Sequence, residues 1–468
     1  MMQKFTFNES SGKLRNRLVR LLVGAALVAV AGPAAANGQF PAANQVVVAP
    51  KDPQMLVLRT TFGVLLSRDR GQNWDWICEQ GIGYPNGEEA FLGITSNSTV
   101  IGGTFGGLVL SSDHGCSWSG STDLTSGNPI SDLAVNPATP QSVVALSSAF
   151  SGDADGKLKY VTKLFTTDDN GRNWAQLGDD LSPTAKALTV DVCKADPDRI
   201  YVSAARASED GSGWIGVLFV SSDHGAHWEE RTIELTADER AAYIAGVDPT
   251  NADRLYLRTF GVTGRLLVSD NAGKSLRTVF SGGQLLGFAL SPDGSRVYIG
   301  GPTDGLSVAD STDLRFEQKA DIPVRCLNSN GSTLFVCSTE ESGFTLGATE
   351  DEGTTLTPLL TYPTIRGPLA CPADASTAVC PSFWSNQRAA LGVNVGGSNT
   401  AASDASDAES EGGAPASTEA PRAHSESSCS MPRKPPSSSL LAYLASIVAA
   451  GSLMRRRSRP TQGNHANR

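Results

Sequence analysis

The chain has 468 residues, a formal charge of −10, 48 glycines and only 18% charged residues, a mix that favours many short strands and turns over long amphipathic helices. The charge is uneven, about +4 over residues 1–36 and about +7 over 422–468, which leaves the body near −21. An acidic body excludes nucleic acid as the main partner, because phosphate neutralisation requires a basic face.

Residues 1–36 have the pattern of an export signal. Lys13, Arg15, Arg17 and Arg20 precede the apolar run LLVGAALVAVA, and Pro33 and three alanines end at Ala36. The remainder is therefore expected in an oxidising compartment, where disulfides persist.

From residue 40 to 390 one eight-residue pattern recurs: SRDRGQNW at 67–74, SSDHGCSW at 111–118, TDDNGRNW at 167–174 and SSDHGAHW at 221–228. Weaker copies are SDNAGKSL at 269–276, TEDEGTTL at 349–356 and ADSTDLRF at 309–316, the last keeping only the spacing and a final aromatic. Successive starts lie 44, 56, 54, 48, 40 and 40 residues apart, close to one four-strand blade. Each copy follows a strand, a Pro turn, a second strand and a third strand that runs into the pattern, and a fourth strand follows it. Seven such units predict an all-β fold, a seven-bladed β-propeller of four-stranded blades.

The repeat has a physical logic. The aspartates Asp69, Asp113, Asp169 and Asp223 are expected to accept backbone N–H groups of their own turns. Gly71, Gly115, Gly171 and Gly225 supply positive φ, and Trp74, Trp118, Trp174 and Trp228 plug the space between sheets. These are structural duties.

The four strong copies resemble the Asp-box, or bacterial neuraminidase, repeat. That resemblance implies a propeller over most of residues 40–390 and leaves function open, because the repeat occurs in sialidases, xyloglucan-type endoglucanases, sortilin-type receptors and photosystem assembly propellers. A sialidase would need an arginine triad, an F/Y-R-I-P motif and a Tyr/Glu pair. The nearest string, DRIY at 198–201, reads as a strand start. A xyloglucan-type endoglucanase would need two propellers. No Ser-His-Asp order, nucleophile elbow or phosphate loop is present, and no catalytic residue, cofactor or metal site is assigned. His114 and His224 sit in turns.

Arg59 and Arg258 share the context L-R-T at equivalent strand ends, with Arg206 near a third, either as an anion-binding cluster at one mouth of the ring or as solvated charges. The loops between second and third strands are longest in units three and four. Trp214, in the latter, is a candidate ligand contact, or else folds back on its own blade.

Of eight cysteines, Cys326 with Cys337 and Cys371 with Cys380 are expected to pair locally across hairpins, Cys78 with Cys116 is a third candidate pair, and Cys193 is left over. The stretch 367–384 is expected as an extra hairpin that closes or caps the ring.

Residues 391–436 are a Ser/Ala/Glu/Pro-rich spacer. Residues 437–454 form an apolar run near the lower limit for crossing a bilayer, and 455–468 a basic cytoplasmic tail. The order of Cys429, apolar run and arginine cluster resembles the myxobacterial C-terminal sorting signal, which implies processing or lipid attachment at Cys429. A plain permanent anchor is the alternative. Together these features predict a non-catalytic surface or envelope protein of a Gram-negative cell, held at the membrane by its C-terminal segment, whose partner is an extracellular protein or glycan. A divergent glycan hydrolase and an envelope assembly factor are the competing readings.

Overall fold

The computed structural model describes residues 40–84, 87–120, 124–154 and 157–393. The export segment, Cys429, the 437–454 run and the basic tail lie outside the described residues. Among the described residues no helix is long and apolar enough to cross a membrane.

Seven antiparallel meanders form a closed seven-bladed propeller. Blade 1 comprises β1 (Ala43–Val48), β2 (Leu56–Thr60), β3 (Gly63–Ser67) and β4 (Trp74–Ile77). Blade 2 comprises β5 (Phe91–Ile94), β6 (Val100–Thr104), β7 (Gly107–Ser111) and β8 (Ser119–Gly120). Blade 3 has β9 (Ile130–Val135), β10 (Val143–Ala154), β11 (Lys157–Thr167) and β12 (Ala175–Gln176). Blade 4 has β13 (Lys186–Val192), β14 (Ile200–Ala207), β15 (Trp214–Ser221) and β16 (Glu229–Ile233). Blade 5 has β17 (Ala241–Val247), β18 (Leu255–Phe260), β19 (Gly264–Ser269) and β20 (Arg277–Gly282). Blade 6 has β21 (Gly287–Leu290), β22 (Arg296–Gly301), β23 (Gly305–Asp310) and β24 (Glu317–Ala320). Blade 7 has β25 (Cys326–Asn330), β26 (Thr333–Cys337), β27 (Leu346–Thr349) and β28 (Thr357–Leu360).

The first strands stand side by side round the axis, and β1 meets β25 at the seam. Side chains stitch these inner strands together. Gln45 exchanges two bonds with the Leu92 backbone (2.9 and 3.0 Å), and Asp132 accepts Val190 N (3.0 Å). Asp191 accepts Val247 N (3.2 Å), and Asn328 donates to Val46 O (3.1 Å). Each wedge between neighbouring blades holds its own apolar cluster, so the core is seven small cores arranged in a ring.

The repeat turns join blades. In blade 1 the Ser67 hydroxyl donates to Asp69 (2.8 Å) and accepts Gly71 N (2.8 Å). Asp69 accepts Asn73 N (2.9 Å), and Trp74 Nε1 donates to Gly71 O (2.9 Å). The same four bonds recur in blades 2, 3 and 4. Trp74 also donates to Leu359 O (3.2 Å) of blade 7, across the seam. Glycine is required twice over, as Gly171 shows: its φ is +86°, and a Cβ there would stand 2.5 Å from Leu110 Cδ2 of the preceding blade. Asn271 replaces the aspartate in blade 5, and Asp351 keeps it in blade 7. Blade 6 differs: its Asp310 accepts Thr312 N (2.8 Å), and Leu314 takes the positive φ.

Two cysteine expectations are corrected. Cys371 bonds to Cys116 and Cys380 to Cys78, rather than 371 to 380 and 78 to 116, whereas Cys326–Cys337 forms as expected. The reason is that 367–384 is not a hairpin. The chain leaves blade 7, runs as β29 (Ile365–Pro368) parallel to β4, and ends in the helix Pro381–Ala390. Residues 371 and 380 thus face blades 1 and 2 rather than each other. The two bridges fasten the end of the propeller to its beginning, since all four strands of blade 1 come from the N-terminal side. Cys193 is a buried free thiol.

Candidate functional site: the hairpin face and the axial channel

Strand polarity sorts the loops onto two faces. The box turns and the Pro turns lie on one. The turns between second and third strands, with the inter-blade connections, lie on the other, the hairpin face. In blade 3 the hairpin grows to strands of twelve and eleven residues, against five for β2 and β3, and the blade 4 hairpin is also lengthened.

Solvent-exposed apolar side chains gather on this face. Phe105 (71% exposed) tips blade 2, and Phe150 (63%), Leu158 and Val161 lie along the blade 3 hairpin. Trp214 (36%) opens β15 in blade 4, and Phe260 and Val262 (87%) form the blade 5 tip. Phe150 packs edge-on against Tyr160 (6.2 Å), and Phe260 against Tyr243 (6.4 Å), so the rings are held rather than loose. The blade 5 tip is further braced by Glu239, whose carboxylate takes Arg265 Nε (2.7 Å) and the Thr259 hydroxyl. Blade 1 is different: its tip residue Phe62 is buried against Tyr362 of the closing segment. The exposed apolar side chains therefore lie on the tips of blades 2 to 5, with Phe40 (89% exposed) beside the blade 1 tip, where its carbonyl takes the Thr61 hydroxyl (3.0 Å).

The axis of the ring holds a cavity of about 500 Å³, lined by apolar residues such as Ile94, Leu133 and Phe288, by the amides Asn44, Gln45, Asn136 and Asn328, and by Arg258. Arg258 donates through NH1 to Leu285 O (3.2 Å) and Leu286 O. Among the described residues no carboxylate forms an ion pair with it. Arg59, 15% exposed, lies over the Phe91 ring (5.3 Å), with Nε 3.5 Å from Glu89 Oε2 but not hydrogen-bonded. Burial lowers both guanidinium pKa values from their ordinary range; Asp132 acts on both in the opposite sense, and Arg59 adds to the lowering at Arg258. Of the two arginines of blades 1 and 5, Arg258 lines the channel, while Arg59 lies against Phe91, Glu89 and Asn44 and reaches Arg258 only through its charge. Arg206 takes no part, because it pairs with Glu230 on the outer strand of blade 4.

Burial pushes the Asp132 carboxyl up to about 7 and Asp191 to about 6, against the pull of the backbone N–H groups they accept. The turn aspartates go the other way. Bonds from His227 N, the His227 ring and the Ser221 hydroxyl hold Asp223 down to about 2, which makes it a poor proton carrier near neutrality. His114 and His224 occupy left-handed turn positions on separate blades and do not meet. Arg199 of the DRIY string pairs with Asp253 (2.7 Å).

One arrangement was invisible in the sequence. Tyr84, Glu88 and Arg59 each hold a buried polar atom without a hydrogen-bond partner: the phenol OH, Oε2 and Nε. Burial, with Glu79, Glu88 and Glu89, raises the Tyr84 phenol far above its ordinary range, opposite to what a phenolate nucleophile needs. Among the described residues no cluster of metal ligands occurs.

The fold defines the chain as a seven-bladed β-propeller. No protein-family model matches the sequence, and no curated protein does. Among solved structures, an ancestral GH74 enzyme is 14% identical, with TM-score 0.48 over 69% of this chain and 49% of that one. A GH74 xyloglucanase from Xanthomonas campestris is 14% identical, with TM-score 0.33 over 67% and 64%. YCF48 from Cyanidioschyzon merolae is 14% identical, with TM-score 0.43 over 64% and 93%. The chain thus spans about half of the first of these proteins and under two thirds of the second.

Proposed function

We propose that this chain is an exported, non-catalytic binding propeller of the Asp-box type, engaging an extracellular or envelope protein or glycan through its hairpin face. The carrying observation is the run of exposed apolar side chains on blades 2 to 5, all on one face and several braced by neighbours. Exposed apolar side chains repeated along one face of a rigid scaffold suit an interaction site. Three disulfides fit an oxidising compartment. In this reading residues 1–36 direct export, 391–436 form a stalk, and 437–454 with 455–468 hold the protein at the membrane of a Gram-negative cell, with Cys429 as the processing or lipid-attachment point.

The protein-versus-glycan choice and the absence of turnover are tested together by a glycan array and a hydrolysis screen on the purified chain. Glycan binding lost in Trp214→Ala supports a lectin-like receptor, and silence on both screens points to a protein partner. Turnover of any glycan refutes the non-catalytic reading and favours the Tyr84–Glu88–Arg59 neighbourhood instead.

A further inference from the structure

We propose that the axial channel is a second binding site, separate from the hairpin face, for a small carboxylic acid with an apolar body, its carboxylate on Arg258 and its body along the inner strands. Nothing in the hairpin-face reading requires it. Three observations lead there. The cavity, about 500 Å³, has the size of a small-molecule site. Its walls offer apolar and polar surface in about equal measure, Ile94, Leu133, Val135, Phe288 and Leu327 beside Asn44, Gln45, Asn136 and Asn328, which suits a short apolar body that carries a polar head. Its lining cation, Arg258, is half-buried and lacks an ion pair among the described residues, while two backbone carbonyls fix its NH1 and so aim the guanidinium.

A guanidinium does not discard its charge, and a carboxylate set against the N–H groups that NH1 leaves over would form a charge-assisted bond in a partly desolvated channel. Asp132 is the carboxylate whose charge acts on Arg258, but it is committed to Val190 N (3.0 Å) of the next blade. Arg59 raises the positive field at Arg258. Glu89 lies 3.5 Å from Arg59 and spends part of its charge there. One negative charge therefore completes the site. A dianion would meet Asp132, and an uncharged ligand would leave Arg258 as it is.

The test is calorimetric titration of the full chain with octanoate, with octanol and acetate as probes that lack the charge or the body. Octanoate is expected to bind with one site per chain, and acetate and octanol at least about tenfold more weakly, the size of one charge-assisted hydrogen-bonded contact. Arg258→Gln is expected to weaken octanoate at least about tenfold with the octanol affinity unchanged. Leu133→Trp, which fills the channel and leaves every charge in place, is expected to abolish octanoate binding while the thermal melt stays cooperative. Equal affinities for octanoate and octanol, unchanged binding in Arg258→Gln, or no octanoate binding to the parent chain would each overturn the proposal.

Discussion

The two seam disulfides should act as one clamp with a strongly non-additive effect on stability. Cys78–Cys380 closes a span of 302 residues and Cys116–Cys371 one of 255. On loop-closure entropy alone, either bridge by itself is worth about 6 kcal/mol. The spans are nested, however. With Cys78–Cys380 in place, the second bridge closes only the short circuit through 78–116 and 371–380, roughly 47 residues, worth about 4 kcal/mol. Replacing Cys116 and Cys371 by serine should therefore cost about 4 kcal/mol, and replacing all four cysteines about 10, more than twice the single loss. Equilibrium urea unfolding in oxidising buffer measures this. Tryptophan fluorescence is a suitable probe, because Trp76 and Trp384 touch across the seam (5.4 Å). Replacing Cys326 and Cys337, whose bridge spans 11 residues, by serine serves as the local control. Strictly additive losses, or a four-serine variant as stable as the parent, would refute the view that the closing segment is held mainly by these covalent links.

Three further outcomes follow. Gly171→Ala places a methyl 2.5 Å from Leu110 at φ +86° and is expected to cost about 2–4 kcal/mol, read as a lowered unfolding midpoint. Stability should rise as pH falls from 8 to about 5, because Asp132 and Asp191 have folded pKa values of about 7 and 6, above their unfolded values, so that ionisation penalises the folded state. Below about pH 4 it should fall again, as Asp69, Asp113, Asp169, Asp223 and Asp351, whose folded values are lowered, take up protons. Asp132→Asn, which keeps an acceptor for Val190, should flatten the upper limb by up to about 4 kcal/mol, and an unchanged melting curve across pH 8 to 5 would count against the assigned burial. Glu239→Gln leaves Arg265 facing a neutral partner whose amide cannot accept both of its bonds, and should destabilise the blade 5 tip by about 1–3 kcal/mol, seen as faster hydrogen exchange at 260–264.

What the sequence made legible follows a physical division. The repeat turns were readable because Ser67, Asp69, Gly71 and Trp74 act within eight residues, and each residue type has one local duty. Blade 6 resisted because Asp310 and Leu314 reach the same reversal by a different local arrangement, leaving only spacing to read. The disulfide pairs of Cys78 and Cys116 were out of reach of a local argument, since only closure of the ring brings residues some 300 positions apart into contact. The same closure decides the arginines. Arg59 and Arg258 have the local sequence of exposed strand ends, yet the ring encloses them, while Arg206 finds Glu230 outside. Hairpin length was visible in the 56- and 54-residue spacings, and the structure extends it to aromatic tips on blades 2 and 5, where single residues rather than long insertions carry the apolar surface. Tyr84 gave no signal at all, because its burial comes from an inter-blade connection.

In the proposed function, ligands are engaged at the hairpin face. Site-specific photo-crosslinking on intact cells tests it directly, with the crosslinker placed at Phe150 or Trp214 on that face and at Ser222 or Asn271 on the box face. A saturable adduct is expected from Phe150 and Trp214, lost when Phe105 and Phe260 are replaced by serine, with none from Ser222 or Asn271. Adducts from the box face alone would contradict it.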